Sequence, residues 1–336
     1  MLMPAGLPLN EVTHHALPLL RFAGARAVGR KHPLMATLCL TDRCNFRCEY
    51  CKVPSLDREE MTADEWIDAI DQLHAAGLVR VSLMGGEPLV FKDIGRVITH
   101  LRSLHINVSM NTNGWFVPQR IDAVAGLDMI CVTLDGPPEV HDVQRHPGSH
   151  HRALEAIDAA RSRGVKVVTM TVLTPRGLRT VDYVLDVARR LGTRAYFQLQ
   201  HAEDGNPNGA IGAGLTESHI AEIARHLLQR KEEGWPVGAS RAYLHALATG
   251  ARRLLSCRTC HASRYFLAIS PTGDLTPCPM TYRQSVTFNG RKRGFVQAFE
   301  EMVQPTDGGC SCYPLTELNY MLDLRGEPWR NAIATL

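Results

Sequence analysis

Long apolar runs are missing from this sequence of 336 residues, and so is any marked excess of one charge. The first thirty residues mix His14, His15, Arg21, Arg26 and Arg30 with short apolar runs, too broken for a secretory signal core or a membrane span. Basic residues number 37 against 34 acidic, a net of +3, which disfavours a broad nucleic-acid surface and excludes little else. No low-complexity tract or short repeat period appears, so the succession of strand-like and helix-like patterns is the only regularity. Without a secretory signal, the ten cysteines are expected in a reducing cytoplasm, where clustered thiols bind metal more often than they pair as disulfides.

Three of those cysteines form the most informative stretch, Cys44-Asn45-Phe46-Arg47-Cys48-Glu49-Tyr50-Cys51. The spacing C-x3-C-x2-C follows the apolar run 34–40, which reads as a buried strand, so the thiols sit on a loop at that strand's C-terminal end. Thiolates are the usual ligands of iron–sulfur clusters, and three of them on a [4Fe–4S] cube leave one iron open to a small molecule. Structural zinc favours C-x2-C pairs and closes at four ligands, and no fourth candidate lies nearby.

From residue 34 onward, strand-length apolar runs alternate with helical patterns, the signature of a parallel α/β sheet. Strands are expected near 34–40, 79–84, 106–110, 129–134, 166–173 and 194–199. Helices are expected near 92–104, 117–124, 150–163, 179–191 and 216–231, with a further one opened by the capping box Thr62 and Glu65. Residues 1–33 read as an N-terminal arm, 34–235 as the strand-helix body and 236–336 as a smaller C-terminal region. Cys39 and Cys131 lie inside apolar strands and read as core thiols.

The cysteine stretch resembles the cluster motif of the radical S-adenosylmethionine (SAM) enzymes, C-x3-C-x-(aromatic)-C, with Tyr50 as the aromatic. The resemblance implies a partial (β/α)6 TIM-like barrel, a [4Fe–4S] cluster on Cys44, Cys48 and Cys51, and SAM chelated on the open iron. Cleavage of that SAM would give a 5′-deoxyadenosyl radical, with the electron coming from a flavodoxin- or ferredoxin-type protein. In such a barrel, function sits on the loops that follow the strands. Gly85, Gly86 and Glu87 after the second strand match the family's GGEP element, and Asn113 after the third matches its T-N-G element. After the fourth strand, Thr133 to Arg145 resembles S-L-D-G-x4-H-D-x2-R, with Thr133 in place of serine and Asp135 retained. Either Arg145 or Arg152 is expected to meet the SAM carboxylate. At the end of the sixth strand, Gln198, Gln200, His201 and Glu203 are candidate substrate contacts.

The C-terminal region holds the other five cysteines, arranged as Cys257-x2-Cys260, a hairpin around Gly273, Cys278, and Cys310-x-Cys312. The hairpin resembles that of SPASM and twitch subdomains, which implies one auxiliary [4Fe–4S] cluster on Cys260, Cys278, Cys310 and Cys312, with Cys257 as the alternate ligand. A zinc hairpin is the competing reading, and the closing C-x-C pair departs from the usual C-x2-C.

For the substrate, a peptide maturase would be expected to carry a leader-binding domain, for which there is no room before Leu34. The expectation is therefore a small polyhydroxylated metabolite, such as a sugar, aminocyclitol or sugar nucleoside. It would be dehydrogenated, dehydrated or decarboxylated by an oxidoreductase or lyase of antibiotic biosynthesis. A ribosomal-peptide maturase is the alternative, and an iron–sulfur scaffold or electron carrier is the non-enzymatic one. Neither nucleic acid nor membrane is expected as a partner.

Overall fold

The structure is a computed structural model, and it describes residues 22–51, 53–55, 58–175, 180–200, 215–250, 260–279, 288–303, 312–323 and 327. Six parallel strands come first: β1 (Met35–Cys39), β2 (Arg80–Met84), β3 (Asn107–Thr112), β4 (Met129–Thr133), β5 (Lys166–Leu173) and β6 (Ala195–Leu199). Each pairs with the next in sequence order, so each crossover returns the chain to the same edge of a growing sheet. The crossovers carry α1 (Ala63–Ala76), α2 (Ile94–Ser103), α3 (Ile121–Val124), α4 (Pro138–Gln144), α5 (Ser149–Ser162) and α6 (Val181–Arg190), and α7 (Glu217–Glu232) and α8 (Arg241–Ala248) follow β6.

The strands are distinguished by what their two faces meet. Leu38, Val81, Leu83, Val108, Met110, Ile130 and Val132 are fully buried among the helices' apolar side chains, including Trp66 and Leu73 of α1. Each such large side chain removed from water contributes about 1.5–3 kcal/mol. The alternate residues Ser82, Asn111, Thr133, Tyr196 and Gln198 are only half buried. Because side chains alternate across a strand, these polar residues share the opposite, concave face. The expected capping box holds α1: Thr62 accepts from the Glu65 N–H, and Glu65 accepts from the Thr62 N–H.

The strands after α8 extend the same sheet. β7 (Phe266–Ile269) runs parallel to β1, with Met35 opposite Phe266 and Leu38 opposite Ile269. β8 (Asp274–Thr276) folds back antiparallel to β7, and β9 (Phe288–Asn289) antiparallel to β8. The sheet order is therefore β6-β5-β4-β3-β2-β1-β7-β8-β9, an open sheet in the manner of a partial TIM barrel. The short helix α9 (Gly290–Arg293) leads into α10 (Phe295–Glu301), which packs Phe295, Ala298 and Phe299 into the core that β1 and β2 already share.

The last helix, α11 (Tyr313–Leu322), leans on β6 and α8: Tyr313 lies 5.4 Å from the ring of Tyr196 and 5.2 Å from that of Tyr243. Among the described residues, no helix is long and apolar enough to cross a membrane.

Candidate functional site

The loop leaving β1 is zipped to the loop leaving β2. Gly86 N–H donates to the Thr41 carbonyl at 2.7 Å and Glu87 N–H to the Arg43 carbonyl at 2.9 Å. This approach explains the glycine pair: a Cβ on Gly85 would run into the Thr41 carbonyl oxygen, and one on Gly86 into the Arg43 carbonyl oxygen. Gly85 also has φ +147°, where L side chains are strained. From below, Glu60 accepts from the Thr41 hydroxyl (2.6 Å) and the Asp42 N–H (2.8 Å), while Arg58 pairs with the buried Asp42 at 2.6 Å. The base of the cysteine loop is thus fixed on both sides.

Cys44, Cys48 and Cys51 stand half buried on that fixed loop. The Phe46 N–H points at the Cys44 sulfur at 3.4 Å, and Cys51 N–H closes a turn on the Cys48 carbonyl at 3.0 Å. Burial pushes the Cys44 thiol up to about 11, with Cys48 and Cys51 adding to it, and pushes the Cys48 thiol upward, with Cys51 adding to that. Thiols bind metal as thiolates, so loading iron here would release their protons. Among the described residues no three His, Cys, Asp or Glu side chains are arranged to hold a single metal ion, the loop thiols included. Three sulfurs on one half-exposed, rigidly based loop fit a cluster with an open iron better than they fit zinc.

Glu87 is fully buried. It accepts from the Thr112 hydroxyl (2.8 Å), the Asn113 N–H (2.8 Å) and the Leu89 N–H (3.1 Å). Burial pushes its carboxyl up to about 7 against those three donors. Glu87 therefore binds the β2 loop to the β3 loop. Asn113 carries the chain of contacts onward: its amide donates to Asn45 Oδ1 at 2.9 Å and lies 3.9 Å from the Cys44 sulfur. The Thr133 hydroxyl donates to the Thr112 carbonyl at 3.3 Å, a tie between β3 and β4.

At the end of β4 the buried Asp135 accepts from Arg145 Nε at 2.6 Å, from the Val172 N–H at 2.9 Å and from the Tyr50 hydroxyl at 3.4 Å. Burial works against the Arg145 charge, but Asp135, Tyr50 and Cys48 together outweigh it and hold the guanidinium above its usual range. Burial likewise drives the Tyr50 hydroxyl well upward. Arg152, more exposed, pairs with Glu155 at 2.7 Å and lies 5.2 Å from the Trp115 ring centre.

Cysteine loop, glycine pair, Asn113 and the Asp135–Arg145 pair thus lie together on the loops that follow β1 to β4. Gln198 is committed elsewhere: its Nε2 donates to the Leu199 carbonyl at 2.9 Å, and its Oε1 accepts from the Tyr313 N–H at 2.8 Å, which ties α11 to β6. Gln200 closes β6 onto β5 through its backbone, donating to the Leu173 carbonyl at 3.0 Å. His201, Glu203, Cys257 and Cys310 lie outside the described residues. In the C-terminal region, Cys260, Cys278 and Cys312 belong to one apolar cluster with Tyr265, Phe266 and Leu315.

Sequence reasoning missed an aromatic group around the loop. Phe46 stacks on His146 at 5.2 Å and meets Trp115 edge-on at 5.6 Å. The signal was present, since Phe46 lies between two of the cysteines and Trp115 follows Asn113-Gly114, but aromatic residues at such positions read equally well as core.

Comparison with known proteins places this geometry. Residues 38–203 match the family model of the radical SAM superfamily. Over 263 residues the chain is 28% identical to the mycofactocin maturase MftC of Mycobacterium tuberculosis, a match covering 75% of this chain and 66% of that protein. It is 30% identical over 211 residues to a probable GTP 3′,8-cyclase of Halobacterium salinarum, covering 57% of this chain and 58% of that protein. The chain thus spans less than two thirds of the length of each, 66% of the maturase and 58% of the cyclase. The structure of SuiB from Streptococcus suis bound to S-adenosylmethionine superposes with a TM-score of 0.70 at 15% identity, covering 89% of this chain and 73% of that one, a likeness of fold.

These relatives overturn the expected sugar, aminocyclitol or sugar-nucleoside substrate. The longer of the two matches is to a maturase, and the argument from room before Leu34 carried no weight against it. The C-x3-C-x2-C loop on β1, its glycine clamp on β2 and the matched family model lead to one conclusion: the chain belongs to the radical SAM superfamily.

Proposed function

We propose that this chain is a radical SAM maturase that modifies a ribosomally made peptide. The observation that carries this reading is the extent of the maturase match: 75% of the chain aligns with mycofactocin maturase, against 57% with the GTP cyclase. SuiB, whose fold this chain shares, has also been captured with its precursor peptide SuiA.

Cys44, Cys48 and Cys51 would hold the [4Fe–4S] cluster that the family implies. Bound there with SAM, the cluster supplies reductive cleavage of the sulfonium and, from it, hydrogen-atom abstraction. The chain's own residues prepare the site. Gly85 and Gly86 bring the β2 loop against the cysteine loop, and Glu87 and Asn113 lock the β3 loop beside Cys44. For the SAM carboxylate, Arg152 is the better-suited arginine. Among the described residues its ionic partner is the half-exposed Glu155, whereas Arg145 is spent on the buried Asp135.

Cys260, Cys278 and Cys312, gathered around Tyr265 and Phe266, would be joined by Cys310 or Cys257 in an auxiliary [4Fe–4S] site. Electrons would come from a flavodoxin- or ferredoxin-type protein.

The test is anaerobic incubation of the iron-loaded chain with SAM and reductant, with 5′-deoxyadenosine measured in the presence of short precursor peptides, nucleotides or aminocyclitols. Stimulation by a peptide, with a matching mass change in it, is expected. Stimulation by a nucleotide or aminocyclitol and by no peptide would overturn the reading.

A further inference from the structure

We infer that Arg80 anchors a carboxylate of the substrate on the concave face of the sheet, so that the peptide is held by an acidic group below the cysteine loop. This inference rests on the peptide reading above and deepens it.

Arg80 opens β2, where Val81 and Leu83 turn to the helices, so Arg80, Ser82 and Met84 take the concave face. In register, Arg80 stands between Met35 of β1 and Asn107 of β3, and Ser82 between Thr37 and Ser109. The only other charged side chain that the six strands place on this face is Lys166, which is exposed at the start of β5. Arg80 is therefore the one partly buried cation of the concave face among the described residues.

No described residue forms an ion pair or hydrogen bond with the Arg80 guanidinium. The carboxylate near it, Asp128, is already engaged: Oδ1 accepts from Arg102 at 2.6 Å and Oδ2 from the Val108 N–H at 2.7 Å. Burial works against the Arg80 charge, and Asp128 and Tyr196 favour it. Tyr196 is on β6, four strands from β2 in the sheet, so it reaches Arg80 across the hollow of the curled sheet. A guanidinium does not shed its charge in a protein, and leaving one partly buried and unpaired costs stability. Its planar fork is matched to a carboxylate. Above Arg80, the half-buried side chains of Thr37, Ser82 and Asn111 likewise have no described partner and are available to polar groups of a ligand. From Arg80 to Met84 the strand rises about 13 Å, the length of about four extended residues. Met84 leads directly into the glycine pair that clamps the cysteine loop. A short peptide held by its carboxylate at Arg80 thus spans to that loop.

Two measurements test this. Arg80→Met removes an unpaired, desolvated charge, so its thermal midpoint is expected at or above that of the wild type. A large fall, or failure to fold, would show a structural role and overturn the inference. The second uses pools of random hexapeptides, given with SAM and reductant to the iron-loaded chain while 5′-deoxyadenosine is measured. One pool is complete, one is amidated at the C-terminus, one omits Asp and Glu, and one does both. Equal stimulation by the last pool is expected to require a tenfold or more higher concentration than by the complete pool, and the two single omissions identify which carboxylate is held. Arg80→Met is expected to respond alike to all four. Equal stimulation of the wild type by the carboxylate-free pool, or a preference kept by Arg80→Met, would overturn the inference and leave the peptide reading standing. A wild-type chain stimulated by no pool would overturn both.

Discussion

At Gly86 a single methyl group decides whether the cluster loop can lie where it does. The Arg43 carbonyl that a Cβ would meet belongs to the backbone that Glu87 N–H also holds, so it has no free direction in which to yield. Gly86→Ala is expected to cost about 1–3 kcal/mol and to cut iron loading sharply, read by thermal unfolding and by iron content per chain. Unchanged iron loading would show that the clamp is dispensable. His141 makes a different residue-scale case. Its Nδ1 accepts from the Asp135 N–H at 3.0 Å, its Nε2 is buried with no hydrogen-bond partner among the described residues, and burial, followed by the Arg145 charge, pushes it down to about 4. The unfolded chain protonates this histidine near 6.5 while the folded chain resists, so stability is full above that pH and falls as pH drops toward 4. The loss is on the order of 3 kcal/mol. His141→Asn keeps an acceptor and removes the proton, so its urea midpoint should fall less than wild type between pH 7 and pH 4.5. Equal falls would contradict the assignment.

The elements show how far local pattern reaches. All six barrel strands and the capping box of α1 were legible, because buried parallel strands and N-caps write themselves into a few neighbouring residues. Thr62→Ala is accordingly expected to lower stability by about 1 kcal/mol, measured by denaturant unfolding. Helix α4 was not expected. It opens on Pro137-Pro138 and is only two turns long, too short for a periodic signal. The parallel pairing of β7 with β1 was equally hidden, since it joins residues 35 and 266 and no window of sequence spans it. The site divides along the same line. The cysteine spacing and the glycine pair could be read directly, whereas the contact of Tyr50 with Asp135 and Arg145 joins residues 85 apart or more and required the fold. Gln198 shows the same limit: a polar residue near a strand's end reads as a substrate contact, whereas the bond of its carboxamide to the first turn of α11 could be seen only in the fold. Gln198→Ala should therefore speed amide hydrogen exchange in Tyr313–Leu322; unchanged exchange there would contradict this role.

At the scale of the molecule, one sheet and one core run from the barrel into the C-terminal hairpin. Leu267, Ile269, Leu275, Phe295 and Phe299 are packed in the same cluster as Leu38, Val81 and Trp66. Ending the chain at residue 250 would strip β7 from the edge of β1 and expose that core, so the truncated protein is expected to aggregate; a soluble product with cooperative unfolding would contradict this. The same continuity sets the Cys260, Cys278 and Cys312 cluster in the unit that carries the cysteine loop, which suits the proposed auxiliary site. The central claim, that Cys44, Cys48 and Cys51 are the seat of SAM chemistry, is tested most directly by 5′-deoxyadenosine formation. Wild-type chain and the Cys48→Ala variant would be loaded with iron and sulfide, reduced anaerobically and given SAM. The account predicts 5′-deoxyadenosine from the wild type and none above background from the variant; the same rate from both would contradict it.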